Sequence, residues 1–206
     1  MDDAIVRKAR RHLRKSDPVM RGVIERVGPF SLKLQRNRFQ SLVRAIIAQQ
    51  ISGQAARSIN NRLQQAIRPR RMTPDVIAGM TLEQLRSLGL SPQKASYVHD
   101  LAAKVSDGRV RLNRVRTMSD AEVVAELVQV KGIGVWTAQM FLIFSLGRPD
   151  VFPHDDLGIR MALRNLYNLS DLPGKEESHA IADCWRPYAT VASWYCWRSL
   201  DNGGAA

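Results

Sequence analysis

The chain is poor in the residues that build metal and redox centres. Cys184 and Cys196 are its only cysteines, too few for the four thiolates of an iron–sulfur cluster, and a disulfide is not expected of a cytosolic protein. The four histidines, His12, His99, His154 and His179, stand at no metal-ligand spacing. No run of about 18 uncharged apolar residues occurs, so no membrane-spanning helix is expected. The opening "MDDAIVRKARRHLRKSD" lacks the apolar stretch of a secretory signal, and the expected location is cytoplasmic. The period-two alternation of a half-buried strand is missing as well; "RVRL", at 109–112, is too short to count. Acidic residues are scarce, 19 against 31 Lys and Arg, which leaves a net charge of +12. That imbalance points to a polyanionic partner, with nucleic acid ahead of an anionic membrane surface and of a merely solubilising surface. The cations fall in clusters (Arg7 to Lys15, Arg68 to Arg71, Arg109 to Arg116), and each alone reads as a solvated face.

What is present is helix. The 206 residues suffice for one large domain or two small lobes sharing a core. Thr73-Pro74 and Ser91-Pro92 pair an N-cap residue with proline at the first helical position. Ser119 to Glu122 and Thr81 to Gln84 fit the capping box, and helical periodicity follows each signal. Two segments share the form helix, glycine turn, helix. "LEQLRSLGLSPQKASYVHDLA", from Leu82, reads as an ordinary helical hairpin. "AEVVAELVQVKGIGVWTAQMFLIFSLG", from Ala121, carries more.

In this second segment Gly132 and Gly134 can take positive φ at no steric cost. A helix beginning near Val135 would point its free N–H groups into the turn, forming an anion site with Lys131 beside it. On a basic protein the natural anion is a DNA phosphate. Ile133, apolar between the glycines, is expected to plug the hairpin into the core. Further on, "FPHDDLGIRMAL" places Asp155 and Asp156 before another helix, where aspartate is a favoured cap. Capping explains one of the two well and both less well.

Five blocks, "AIIAQQIS" at 45–52, "GLSPQKASYV" at 89–98, "KGIGVWTA" at 131–138, "DVFPHDDLGI" at 150–159 and "WRPYATVASWYCWR" at 185–198, stand in the order found in the helix–hairpin–helix DNA glycosylases. The chain resembles that superfamily from about Phe39 to Trp197, specifically its 3-methyladenine DNA glycosylase II branch in compact form. The resemblance implies an all-α fold over residues 1–206: a single domain of two helical lobes, the helix–hairpin–helix at about 119–146, and the active-site cleft between the lobes. It implies a monofunctional glycosylase that hydrolyses the N-glycosidic bond of alkylated purines such as 3-methyladenine and 7-methylguanine in damaged double-stranded DNA. The alternatives are a non-catalytic helix–hairpin–helix DNA-binding protein and a glycosylase for deaminated or mismatched bases. The expected state is a monomer.

By the same match Asp156 is the catalytic residue and Asp155 the cap or structural partner. Trp136 stands where relatives that also cut the backbone carry a Schiff-base lysine, so no lyase step is expected. Its alternative is core packing. Trp136 and Trp197 are implied as base-pocket aromatics, with Trp194 either joining them or packing. Gln50 is implied as the wedge that fills the gap left by the extruded nucleotide, a role Gln49 could share. Lys131, Gly132, Gly134 and Thr137 are implied in DNA binding. No cofactor is required, and a structural Na+ or K+ held by the backbone carbonyls of Val128, Val130 and Ile133 is implied at the hairpin. His154, close to the aspartates, could act as an acid but is read as structural or solvent-facing. The chain departs from the family's frequent P-Y-R-S at Pro187-Tyr188-Ala189-Thr190, which removes an arginine able to contact DNA.

Overall fold

The computed structural model describes residues 1–201. The helices, in chain order, are α1 (Asp3–Ser16), α2 (Pro18–Val27), α3 (Arg38–Ala48), α4 (Gly53–Ala66), α5 (Pro74–Ala78), α6 (Leu82–Ser87), α7 (Pro92–Ser106), α8 (Asp120–Leu127) and α9 (Val135–Phe141). A π-helical segment, Leu142–Leu146, follows, then α10 (Leu157–Leu166), α11 (Lys175–Ala182), a 3-10 turn (Asp183–Trp185) and α12 (Ala189–Asp201). No strand occurs among the described residues, and none of these helices is long and apolar enough to cross a membrane.

The helix starts fall where the cap residues place them. Thr73 and Ser91 cap α5 and α7 ahead of proline. Thr81 with Gln84 and Ser119 with Glu122 close reciprocal capping boxes on α6 and α8. Each box satisfies N–H groups that the first turn leaves without an intrahelical acceptor.

The chain forms two compact units. Unit 1 joins Met1–Leu34 to the C-terminal part from Leu142, and unit 2 is Gln35–Phe141. In unit 1, α12 packs against α10 and α2, and α1 against α2. Its core gathers Leu13, Met20, Ile24, Ile159, Leu163, Trp185 and Tyr195, all fully buried. Truncating one such aliphatic side chain to Ala costs about 2–5 kcal/mol.

Asp17 ties this core together while only 4% exposed. Its Oδ1 accepts the N–H groups of Val19 and Met20, capping α2. Its Oδ2 accepts the Trp185 indole N–H at 2.8 Å and the Tyr167 hydroxyl. Burial, and then the bond to Asp17, push the Tyr167 hydroxyl well above its ordinary pKa. In unit 2, α7 is the hub, packed against α5, α3 and α6, while α8 and α9 pair with each other.

Candidate active site and glycine hairpin

The hairpin of unit 2 runs from α8 through Val128–Gly134 into α9. Its two glycines differ. Gly132 takes φ +79°, and a Cβ there would lie 2.0–2.6 Å from the Tyr97 ring, so only glycine lets the turn sit under that aromatic. Gly134 is not in the positive-φ region and has open space around it, so positive φ is needed at the first glycine only. Ile133 is 4% exposed and anchors the turn from beneath.

Asp100 of α7 fixes the turn from the side. Its Oδ2 accepts the Lys131 backbone N–H at 2.9 Å and the Lys104 ammonium at 2.7 Å. Burial pushes the Asp100 carboxyl up, but the bonds from Lys104 and Lys131 outweigh it and hold the group below the ordinary aspartate range. Lys104 also donates to the Gln129 carbonyl, and Gln49 Nε2 donates to that of Gly132 at 2.8 Å. The carbonyls of Val128 and Ile133 receive no hydrogen bond among the described residues, while that of Val130 accepts one from Ile133. These residues line a depression of about 450 Å³ with Gln129, Lys131, Gly132 and Gly134. Carbonyl oxygens lining a depression, two of them without a donor among the described residues, are the ligand type a hard monovalent cation takes, so the residues present fit such an ion.

Lys131 and Gly134 are exposed, as expected of a phosphate contact, but the Lys131 N–H is already spent on Asp100. Thr137 is only 5% exposed, so its hydroxyl is not offered to a ligand at the surface, while its backbone N–H lies in the first turn of α9. Trp136, 44% exposed, is not a core residue. Gln50 is exposed at φ +55° beyond the end of α3, next to the exposed Ile51. Gln49 has a different task, since its amide is held on Gly132.

In unit 1 the structure resolves the pair of aspartates differently from the sequence reading. Asp156 is itself the N-cap of α10, its Oδ1 accepting Ile159 N–H at 2.9 Å. Asp155 does not cap; it is 74% exposed, with the His154 ring 3.3 Å away. The family match gives the cap or a structural role to Asp155; the helix register gives the cap to Asp156.

The same Oδ1 of Asp156 accepts the Trp197 indole N–H at 2.9 Å. Trp197 stacks on Phe144 of the π-helical segment, centroids 5.7 Å apart and planes 29° from parallel. These two line a cavity of about 680 Å³ with Ser31–Lys33, Trp194, Arg198 and Asp201. Trp194 is 5% exposed, with Phe30 4.8 Å from its ring and the Arg198 guanidinium 5.4 Å over it. Its faces are taken, so Trp194 is a wall of the core and not a stacking surface.

His154 is largely buried against His179, rings 4.9 Å apart, which supports its structural reading. Burial, followed by the neighbouring His154, lowers the His179 pKa. Ala189 is fully buried and its N–H donates to Asp150, so in this chain the position of the missing arginine lies inside unit 1. Sequence reasoning gives Phe144 and Tyr97 no role, although Tyr97 lies in the 89–98 block, because only the fold brings them to Trp197 and Gly132.

Helices throughout, a glycine-turned hairpin in one unit and an indole-held aspartate in the other define an all-α protein of the helix–hairpin–helix type. The chain belongs to the HhH-GPD superfamily of base excision DNA repair proteins, whose pattern it matches over residues 43–187. It is 33% identical over 197 residues to DNA-3-methyladenine glycosylase 1 of Schizosaccharomyces pombe, covering 93% of this chain and 86% of that protein. An alkylbase DNA glycosidase-like protein of the same yeast is 29% identical over 95% of this chain and 94% of its own. A Bacillus subtilis relative, 32% identical, is longer, and the chain spans 61% of it. Among solved structures, the S. pombe 3-methyladenine DNA glycosylase in complex with abasic DNA superimposes with a TM-score of 0.85 at 32% identity, over 94% of this chain and 97% of that one.

Proposed function

We propose that this chain is a monofunctional DNA glycosylase of base excision repair that releases alkylated purines from duplex DNA. The observation that carries the reading is Asp156, a carboxylate fixed by two donors on one oxygen beside an aromatic-lined cavity. When the C1′–N bond breaks, its electron pair leaves with the base and positive charge develops on the sugar. A fixed carboxylate stabilises that charge and receives the proton of the attacking water as its oxygen bonds to C1′. A base that is already cationic departs neutral and needs no acid, which suits a site whose neighbouring histidine in sequence, His154, is largely packed against His179. Trp136 offers an exposed indole on which a flipped base can stack. Its side chain forms no Schiff base, so the abasic strand is left intact. Lys131, Gly134 and the first-turn N–H groups of Val135 and Thr137 hold phosphate, Gln50 fills the vacated stack, and the hairpin carbonyls hold Na+ or K+. The protein acts as a monomer on damaged double-stranded DNA in the cytoplasm.

Incubation with methylated duplex DNA, followed by chromatography of the supernatant, should show 3-methyladenine and 7-methylguanine. Asparagine still caps a helix, so Asp156→Asn should keep its melting temperature while base release falls by about 10²–10³, the loss typical of one preorganised electrostatic group. Release at the wild-type rate would remove Asp156 from the mechanism. Borohydride added during turnover should trap no protein–DNA adduct.

A further inference from the structure

We propose that Trp197 is a positioning residue that acts through its indole N–H on Asp156, and that Gly158 exists as glycine to let it do so. The proposal rests on the reading of Asp156 as the working carboxylate. Three separate features converge on this contact.

The first is the bond itself. Trp197 Nε1 donates to Asp156 Oδ1 at 2.9 Å, on the oxygen that already receives Ile159 N–H at the same distance. An N-cap aspartate is satisfied by the backbone N–H of its own helix, so the indole bond is surplus to capping. Two donors converging on one oxygen stop rotation about Cβ–Cγ and fix the plane of the carboxylate. The second feature is the hold on the indole. Trp197 belongs to α12, which packs against α10, and its ring lies on Phe144, so its angle is set from the face as well as from the edge. The third is Gly158. A Cβ there would stand 3.1 Å from Asp156 Oδ1, 3.1 Å from Trp197 Cδ1 and 3.3 Å from Trp197 Nε1. Gly158 has no positive φ to justify glycine. The hydrogen atom in place of a methyl group is what lets the indole edge reach the carboxylate.

The physical purpose follows from what the carboxylate must do. It lowers a barrier only if it is oriented before charge develops on the sugar, because reorienting during the reaction would consume the gain. An aspartate held only by its own helix can rotate when DNA displaces the surrounding water. A donor from another helix, itself clamped, prevents that. This role differs from stacking on a base: it uses the N–H edge of the ring, and the face is left to Phe144 and the cavity.

The two roles separate in single-turnover excision of 7-methylguanine from a methylated duplex, with affinity for abasic DNA measured alongside. Trp197→Phe keeps an aromatic face and loses the donor. The single-turnover rate should fall about tenfold to a hundredfold while the Kd for abasic duplex changes less than threefold. Should Trp197→Phe fold poorly, replacing Trp197 with its benzothienyl isostere, which puts sulfur in place of N–H and keeps the ring's shape, should give the same fall. Gly158→Ala, which touches neither partner chemically, should lower the rate in the same way. A benzothienyl variant at the wild-type rate, or one that loses affinity and not rate, overturns the proposal. An inactive wild type would instead count against the glycosylase reading. The contact would then be read from the Trp197 indole ¹H–¹⁵N resonance: an unchanged frequency in Asp156→Asn and Gly158→Ala would overturn it independently.

Discussion

Unit 2 contains two turns of the same grammar, helix–glycine–helix, and they end differently. The α6–α7 turn puts Gly89 at φ +99° beneath the end of Arg62, and Arg62 Nε donates to the Leu88 carbonyl at 2.7 Å. The protein's own cation thus sits on the carbonyl end of that helix, where the macrodipole favours positive charge. The α8–α9 turn puts Gly132 at φ +79° beneath a rigid ring, and the carbonyls of Val128 and Ile133, which line a depression, receive no donor among the described residues. Lys104 and Gln49 close the neighbouring carbonyls of Gln129 and Gly132 and stop there. One turn is sealed by an arginine; the other is braced on its flanks and open in the middle. On the proposed reading, it is the donors withheld from the second hairpin that leave it able to bind.

The comparison can be broken most severely at the glycines. Gly132→Ala forces an L-residue into positive φ, at about 1–2 kcal/mol. It also drives a methyl group into the Tyr97 ring, at about 1–3 kcal/mol. Calorimetry should show a loss of about 2–5 kcal/mol, much of the stability of a typical domain. Gly89→Ala bears the first cost alone, because the end of Arg62 can swing aside, and should lose about 1–2 kcal/mol. Equal losses at the two positions would show that Tyr97 yields as easily as Arg62. Gly134→Val meets nothing and should melt within about 0.5 kcal/mol of wild type, while binding to all duplex sequences weakens alike and the log–log salt slope becomes shallower.

Acid sharpens the contrast. The folded state holds Asp100 below its usual pKa, so its contribution is complete above the unfolded value, near pH 4, and is lost as pH falls through the folded one. The Lys131 amide, which donates to Asp100, should therefore lose hydrogen-exchange protection below about pH 4 before the Gly89 amide does, since Gly89 donates to the Arg86 carbonyl and not to a carboxylate. The smallest effect is that of the proposed ion. Replacing choline by K+ or Na+ at constant ionic strength should stabilise the protein by about 0.4 kcal/mol when the salt equals its Kd, and Val128 and Ile133 carbonyl resonances should move while that of Leu88 does not.

Much of this was legible in the sequence because it is local. Caps, capping boxes and the G-I-G turn each announce themselves within four residues, and the helices begin where those signals stand. What could not be read is what depends on distant partners or on register. Nothing near Gly132 in sequence names Tyr97 or Asp100. The choice between Asp155 and Asp156 as cap turns on one residue of helix register. "FLIFSLG" reads as an unbroken apolar run, and only the wide π-helical turn shows that Phe144 meets Trp197. Thr137, matched as a DNA contact, is buried by the same periodicity that makes α9 a helix.

Asp17 has a consequence for where this protein can be cut. The family's recognisable pattern begins at residue 43 and ends at 187, yet Trp185 inside it depends on a carboxylate outside it. A fragment trimmed to the pattern would leave that indole N–H buried without an acceptor, a penalty of about 1–3 kcal/mol. It would also strip Leu13, Met20 and Ile24 from the core and end before Trp197. The stretch by which kinship is recognised is therefore smaller than the stretch that can fold, and a minimal autonomous version must keep both of its flanks.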